Sequence, residues 1–200
     1  MTTTIDTTDT RALRLKEVTR QTHEKLDGSI MDVASFASLE GYGRFVGVQY
    51  LFHRDIHALY DDARLQTLLP GLIERRRFDL IAADLGDLGV ALPEGGEPAF
   101  VAEAIDVPTA LGWLYVAEGS NLGAALLRKE AARLGLSDDR GARHLAPAGD
   151  GPAAHWRAFT ASLNAADLGA DEEERVTQGA KDAFARVQSY VDARLGTRFG

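Results

Sequence analysis

GWLYVAEGSNLGAA, from Gly112 to Ala125, sits inside a segment that carries the marks of one long helix. Asp106, Val107 and Pro108 open it with a capping acid and a proline in the first turn. Leu126 to Glu130 continue it with good helix formers, and Gly135 closes it as a C-cap. Within this helix stand Gly112, Gly119 and Gly123, at spacings of seven and four that put all three on one face. Each interior glycine costs roughly 0.5–1 kcal/mol against alanine, so a stripe of them needs a reason. Two reasons compete. Either a second helix packs tightly through Gly119-x-x-x-Gly123, or a flat ligand lies directly on the backbone.

Working outward, the preceding segments are helical too. Thr10 to Asp27 has a helical apolar period of Leu13, Leu15, Val18, Thr22 and Leu26, with Gly28 expected as its end. Lys16 and His23 border that stripe two turns apart, about 10 Å along the axis. The next helix is expected to run from Ser38 to about Arg64, with Gln49 and His53 where the period calls for apolar residues. Buried polar groups need partners, so these two bond to neighbouring helices or line a wet cavity. His53 and His57, four apart, form a loose metal-pair pattern, but no third ligand follows in zincin fashion.

A third helix is expected over 71–87, with Ile73, Leu80, Ile81 and Leu85 inward and Arg77 on the same face. An inward guanidinium needs an anion or a polar network, unless it snorkels to the edge. Gly89 to Pro98 reads as a loop. Beyond the glycine helix, a connection containing GARHLAP and His144 leads to a short helix from Pro152. A last helix starts at Asp171 with an acidic first turn. The pattern holds no internal repeat and no useful β-alternation, so it predicts a single all-α domain over residues 10–200 behind a polar tail, residues 1–9.

Composition excludes several functions. The 22 basic and 30 acidic residues leave a formal charge of -8, which argues against nonspecific nucleic-acid binding. With no cysteine there are no disulfides, thiolate ligands or Cys nucleophile. The start, MTTTIDTTDT, lacks the apolar segment of a signal peptide, and no run approaches the ~20 apolar residues of a membrane span, so a cytoplasmic protein with no membrane partner is expected.

Taken together, EGSNLGA at Glu118–Ala124, THEKLD at Thr22–Asp27, GARHLAP at Gly141–Pro147 and the pair His155–Trp156 resemble the bacterial biliverdin-producing heme oxygenases. The resemblance runs from about residue 10 to 199, with the motifs in the family's order. It implies an all-helical fold in which heme b, both substrate and cofactor, is sandwiched between a proximal helix and a kinked distal helix. It implies His23 as the iron ligand, and Gly119, Ser120, Gly123 and Ala124 as the distal wall, where missing Cβ atoms let backbone approach the porphyrin. Gln49, His53, Arg77, Asn121 and His144 match the positions that hold distal water. Lys16 and Tyr115 match positions that bind the propionates, and Lys129 stands equally well as a rim residue or a solvated surface lysine.

Some bacterial relatives carry a neutral residue and a phenylalanine in place of that Lys and Tyr and seat heme rotated in its plane. The polar pair here resembles the branch that yields biliverdin IXα. The implied reaction opens heme with O2 to biliverdin, CO and Fe²⁺, for release of heme iron. With no flavin or nicotinamide fingerprint, the electrons come from an external donor, a ferredoxin or flavin reductase system. A heme-binding or storage protein without chemistry is the alternative from another class. The cluster Gln49, His53, Arg77 and His144 speaks against it, because storage does not need it.

Overall fold

A computed structural model describes residues 10–32 and 36–194. Among the described residues the chain forms seven α-helices: α1 (Arg11–Asp32), α2 (Leu39–Asp55), α3 (Ala63–Leu68), α4 (Phe78–Asp87), α5 (Val107–Arg133), α6 (Pro152–Ala165) and α7 (Ala170–Arg194). Short 3-10 turns join them at His57–Asp61, Ile73–Arg75, Ala102–Ala104 and Arg143–Leu145, and no strand forms among the described residues. The expected tail, residues 1–9, lies outside the described residues, as does the end of the chain from 195.

The glycine helix α5 is the central element. Asp106 caps it, its carboxylate accepting from the Thr109 N–H at 3.1 Å and the Thr109 hydroxyl at 2.6 Å. Its main partner is α7, and the two backbones touch. A Cβ on Gly112 would stand 2.1 Å from the Val176 carbonyl oxygen, and one on Gly179 would stand 2.3 Å from that of Thr109. Helix packing therefore explains Gly112, and the three-glycine stripe divides. A Cβ on Gly119 would meet only the Trp156 ring, at 3.6 Å, and one on Gly123 would meet nothing within 4 Å.

On α1 the buried line is Arg11, Leu15, Thr19 and Leu26, while Leu13 and Val18, expected inward, are 47% and 46% exposed. Arg11 anchors the helix start. Its guanidinium bonds to Glu173 and to the carbonyls of Leu163 and Ala166, joining α1 to α6 and α7. Gly28 does not end α1. The helix passes through it, with the Ser29 hydroxyl donating to the Lys25 carbonyl at 3.0 Å and Ile30 packing on the core beyond.

The second helix stops at Asp55 rather than at Arg64, because Asp62 starts a new one: its carboxylate accepts from the N–H groups of Arg64 and Leu65 at 2.9 and 3.1 Å. The third begins only at Phe78, with Arg77 at its N-cap, and Leu80 on it is 40% exposed instead of inward.

Two apolar clusters form the core. The larger joins α1, α2, α5, α6 and α7 through residues such as Leu15, Phe52, Trp113, Phe159 and Phe184. The smaller packs Tyr42, Phe45 and Val46 of α2 against Ile81 and Leu85 of α4, Ala124 and Ala131 of α5, and Leu145. A small polar cavity is cut into the edge of the smaller cluster.

Candidate functional site

The cavity has a volume of about 30 Å³ and is lined by Phe45, Gln49, His53, Arg77, Ser120, Asn121, Ala124, Leu127, His144 and Leu145. That is room for about two water molecules. Four separate segments build it. Gln49 and His53 project from successive turns of α2, and Arg77 stands at the head of α4. Ser120, Asn121 and Ala124 belong to the open half of α5, and His144 comes from the 3-10 turn that follows. Among the residues assigned from sequence, the structure thus brings Gln49, His53, Arg77, Ser120, Asn121, Ala124 and His144 onto one space.

Two acids of α4 and one tyrosine of α2 hold the turn that carries His144. Asp84 accepts from the His144 N–H at 3.0 Å and lies 2.7 Å from its Nδ1, while its other oxygen accepts from the Arg143 N–H at 3.1 Å and Nη1 at 3.0 Å. Asp87 accepts from the Gly141 N–H at 2.9 Å, and the Tyr42 hydroxyl donates to the Gly141 carbonyl at 2.9 Å. Gly141 has a φ of +74°, a conformation that suits glycine. Arg77 Nη1 donates to the carbonyls of His144 and Ala146, so the guanidinium is bonded inward and does not snorkel.

Asp84 escaped the sequence reading, although it lies with Ile81, Leu85 and Leu88 on the apolar face of α4. An acid in such a stripe was the available signal. Glu118 was missed likewise. It is 2% exposed and accepts from Arg75 Nη1 at 2.8 Å, with His155 Nε2 3.6 Å away.

Burial sets the charge states. It pushes the His53 imidazole down to about 3, with Arg77 and His144 adding to the effect. Burial also lowers His144, against the opposing pull of Asp84. Burial raises the Asp84 carboxyl, but its bonds from His144 and Arg143 outweigh that and hold it below the usual carboxylate range. Both histidines are therefore neutral near neutral pH, and His53 Nδ1 and His144 Nε2 are buried without a partner among the described residues.

An acid-stability prediction follows. An unfolded histidine takes its proton near 6.5, whereas folded His53 takes it only near 3. Between those values the unfolded chain binds more protons, so stability falls as pH falls. His53 alone should cost the heme-free chain about 2 kcal/mol at about pH 5 relative to pH 7. Urea midpoints at the two pH values measure it, and His53→Phe should flatten the difference. Equal midpoints in the parent chain would refute the buried neutral state.

On α1, the His23 side chain is 54% exposed, with Nδ1 3.2 Å from Asp27 and the ring edge-on to Phe184 at 5.8 Å between centroids. That arrangement leaves Nε2 as the nitrogen available to a metal. Lys16 on α1 and Lys129 on α5 are both exposed. Tyr115 is buried at 8% exposure, its ring 5.5 Å from that of Trp156, so it is less solvated than a residue at a pocket mouth would be. Burial pushes its hydroxyl up to about 12, which keeps it protonated and able to donate. Among the described residues no three His, Asp or Glu side chains gather as a metal site, and His53 and His57 are not part of one.

The residue types present suit heme: one half-exposed imidazole with a carboxylate beside it, helical glycines at 119 and 123 whose absent Cβ atoms leave backbone open, and a small polar cavity next to those glycines. The heme oxygenase family model matches residues 9–193. The chain belongs to the heme oxygenase family. It is 44% identical over 182 residues to the heme oxygenase PigA of Pseudomonas aeruginosa, covering 91% of each chain.

A solved heme oxygenase from Neisseria meningitidis, studied with NO and CO bound, superposes with a TM-score of 0.87 at 41% identity, covering 94% of this chain and 92% of that one. The heme oxygenase of Leptospira interrogans shares the fold, with a TM-score of 0.75 at 17% identity over 92% of this chain and all of that one. The chain is accordingly an oxidoreductase that acts on heme and degrades it, and the storage reading is not favoured. No helix among the described residues is long and apolar enough to cross a membrane.

Proposed function

We propose that this heme oxygenase holds heme between α1 and the open half of α5, with His23 Nε2 as the iron ligand and Gly119, Ser120, Gly123 and Ala124 as the opposite wall. The observation that carries the reading is the convergence of Gln49, His53, Arg77, Asn121 and His144 on one small polar cavity against that wall. Heme supplies the iron at which O2 is reduced and the ring that is opened, to give biliverdin, CO and Fe²⁺ in the cytoplasm.

The chain's own residues do the rest. Asp27, whose carboxylate lies 3.2 Å from His23 Nδ1, is placed to orient the ring with Nε2 toward the iron. Arg77 offers only donors, His144 Nε2 offers an acceptor, and the Gln49 and Asn121 amides offer both. Two waters bonded by such a set carry protons between the cavity and the substrate. No group in the cavity is charged except Arg77, so no carboxylate competes for the proton at that point. A ferredoxin or flavin reductase system delivers the electrons.

Lys16 and Tyr115, with Lys129 at the rim, hold the propionates and so select the carbon that is attacked. The iron ligand cannot select an edge of a ring that is nearly four-fold symmetric about the iron. Two polar bonds of about 1 kcal/mol each bias the seating by about 2 kcal/mol, roughly thirty-fold. Aerobic turnover of the heme complex with ascorbate or a ferredoxin system, followed by product chromatography, tests both levels. The parent chain should bleach the Soret band and give mainly biliverdin IXα. Lys16→Asn with Tyr115→Phe should add β or δ product with iron ligation intact. A pure α product from the double variant removes the pair as the steering element, and a heme complex that never turns over removes the oxygenase chemistry.

A further inference from the structure

We infer that Asp84 is a positioning residue, which holds His144 in the tautomer with its proton on Nδ1 and so makes Nε2 a fixed hydrogen-bond acceptor at the cavity. Asp84 is fully buried, 0% exposed, on α4 two turns beyond Arg77. Four donors compensate its charge: the N–H groups of Arg143 and His144, the Arg143 guanidinium and His144 Nδ1. A carboxylate so held can only accept, and it stands 2.7 Å from Nδ1. The proton of a neutral His144 is therefore on Nδ1. The remaining nitrogen, Nε2, is buried, has no partner among the described residues, and belongs to a side chain that lines the cavity.

This arrangement gives the cavity a direction. Arg77, at the N-cap of the helix that carries Asp84, has five N–H donors and no acceptor, and among the described residues its Nη1 is engaged by the carbonyls of His144 and Ala146. A hydroxyl or water between Arg77 and His144 must accept from the first and donate to the second. With the opposite tautomer both walls would donate and that order would be lost. His53, facing the same space from α2, is neutral, and its Nδ1 has no partner among the described residues, so no carboxylate clasps that nitrogen as Asp84 clasps His144. Asp87 and Arg143 lie on the outer side of the clasp, bonded to each other and away from Nε2. The same logic governs other buried His–carboxylate pairs, in which the carboxylate fixes which nitrogen carries the proton. The consequence for turnover rests on the proposed function of the cavity, whereas the tautomer does not.

The test starts from the heme-free full chain labelled with ¹⁵N in histidine. At neutral pH the His144 ring should show a protonated Nδ1 and a bare Nε2. A protonated Nε2 overturns the proposal outright. Asp84→Ala removes the acceptor and should convert that single pattern to a mixture or to its opposite. Arg143→Gln loosens the same clasp and should leave the pattern intact, which separates positioning from a merely structural role. In the heme complex, Asp84→Ala should lower turnover roughly ten-fold, the smaller end of what losing an outer hydrogen-bond partner costs, with heme affinity unchanged. Retention of the Nδ1–H pattern in Asp84→Ala overturns the assignment. A changed pattern with unchanged turnover leaves the tautomer standing and overturns the role given to the cavity.

Discussion

A His23→Ala chain is expected to fold as the parent does, to take up heme without the parent's ferric spectrum, and to lose about 100-fold or more in turnover. The expectation combines two facts about one side chain. His23 is 54% exposed, meets Phe184 edge-on and lies 3.2 Å from Asp27, so its removal opens no core cavity among the described residues. A surface substitution of that kind stays within about 0.5 kcal/mol of neutral. Its exposed ring nevertheless carries the one nitrogen the proposed function gives to iron, and nothing else on the exposed part of α1 substitutes for it: Lys16 is a cation two turns away, and Glu24 and Asp27 are oxygen donors. Urea unfolding of the heme-free variant, the ferric spectrum of its heme complex, and aerobic turnover measure the three parts. Added imidazole should restore part of the spectrum and of the rate. A variant that turns heme over at the parent rate would remove His23 from the site.

What the sequence reveals and what it hides follow one physical division. Residues whose type conflicts with their place in a helical period were visible: Gln49 and His53 on an apolar face, and Arg77 pointing inward. All three line the cavity. Terminal signals were visible as well, since Asp106 does cap α5 and Gly135 follows it at a φ of +80°. Hidden were the places where two readings of one residue type differ only in what approaches from outside the chain segment. Gly28 had the look of a stop and is an ordinary helical position, because the Ser29 hydroxyl and the packing of Ile30 carry α1 past it. The restart at Asp62 depends on a cap that competes with helix continuation, and a period does not show which wins. Asp84 and Glu118 were overlooked because each finds its partners far along the chain, at Arg143, His144 and Arg75.

The glycines of α5 give the sharpest separation of fold from function. Gly112→Ala should destabilise the heme-free chain by about 3 kcal/mol or more, at or beyond the upper end of overpacking costs. The added methyl would lie 2.1 Å from the Val176 carbonyl oxygen and 2.5 Å from the Ala180 nitrogen, and these are backbone atoms of a packed helix that have no rotamer to change. Gly179→Ala meets the Thr109 carbonyl from the other side, and should cost a similar amount.

Gly123→Ala behaves in the opposite way. Its methyl has nothing within 4 Å, and the helix gains the propensity of alanine, so the heme-free chain should become more stable by roughly 0.5–1 kcal/mol. Gly119→Ala meets only an ordinary contact with the Trp156 ring and should be close to neutral. The proposed function then demands that these harmless sites be the ones where bulk destroys activity: Gly123→Leu or Gly119→Leu should keep the chain folded while blocking O2 or displacing heme, because the space is open only until the porphyrin fills it. Thermal melts of the heme-free variants and heme titrations of the same preparations give the two readouts side by side. An unchanged melting temperature for Gly112→Ala would refute the backbone crossing of α5 and α7. Unchanged heme affinity and turnover in both leucine variants would return Gly119 and Gly123 to the role of spare glycines in a helix.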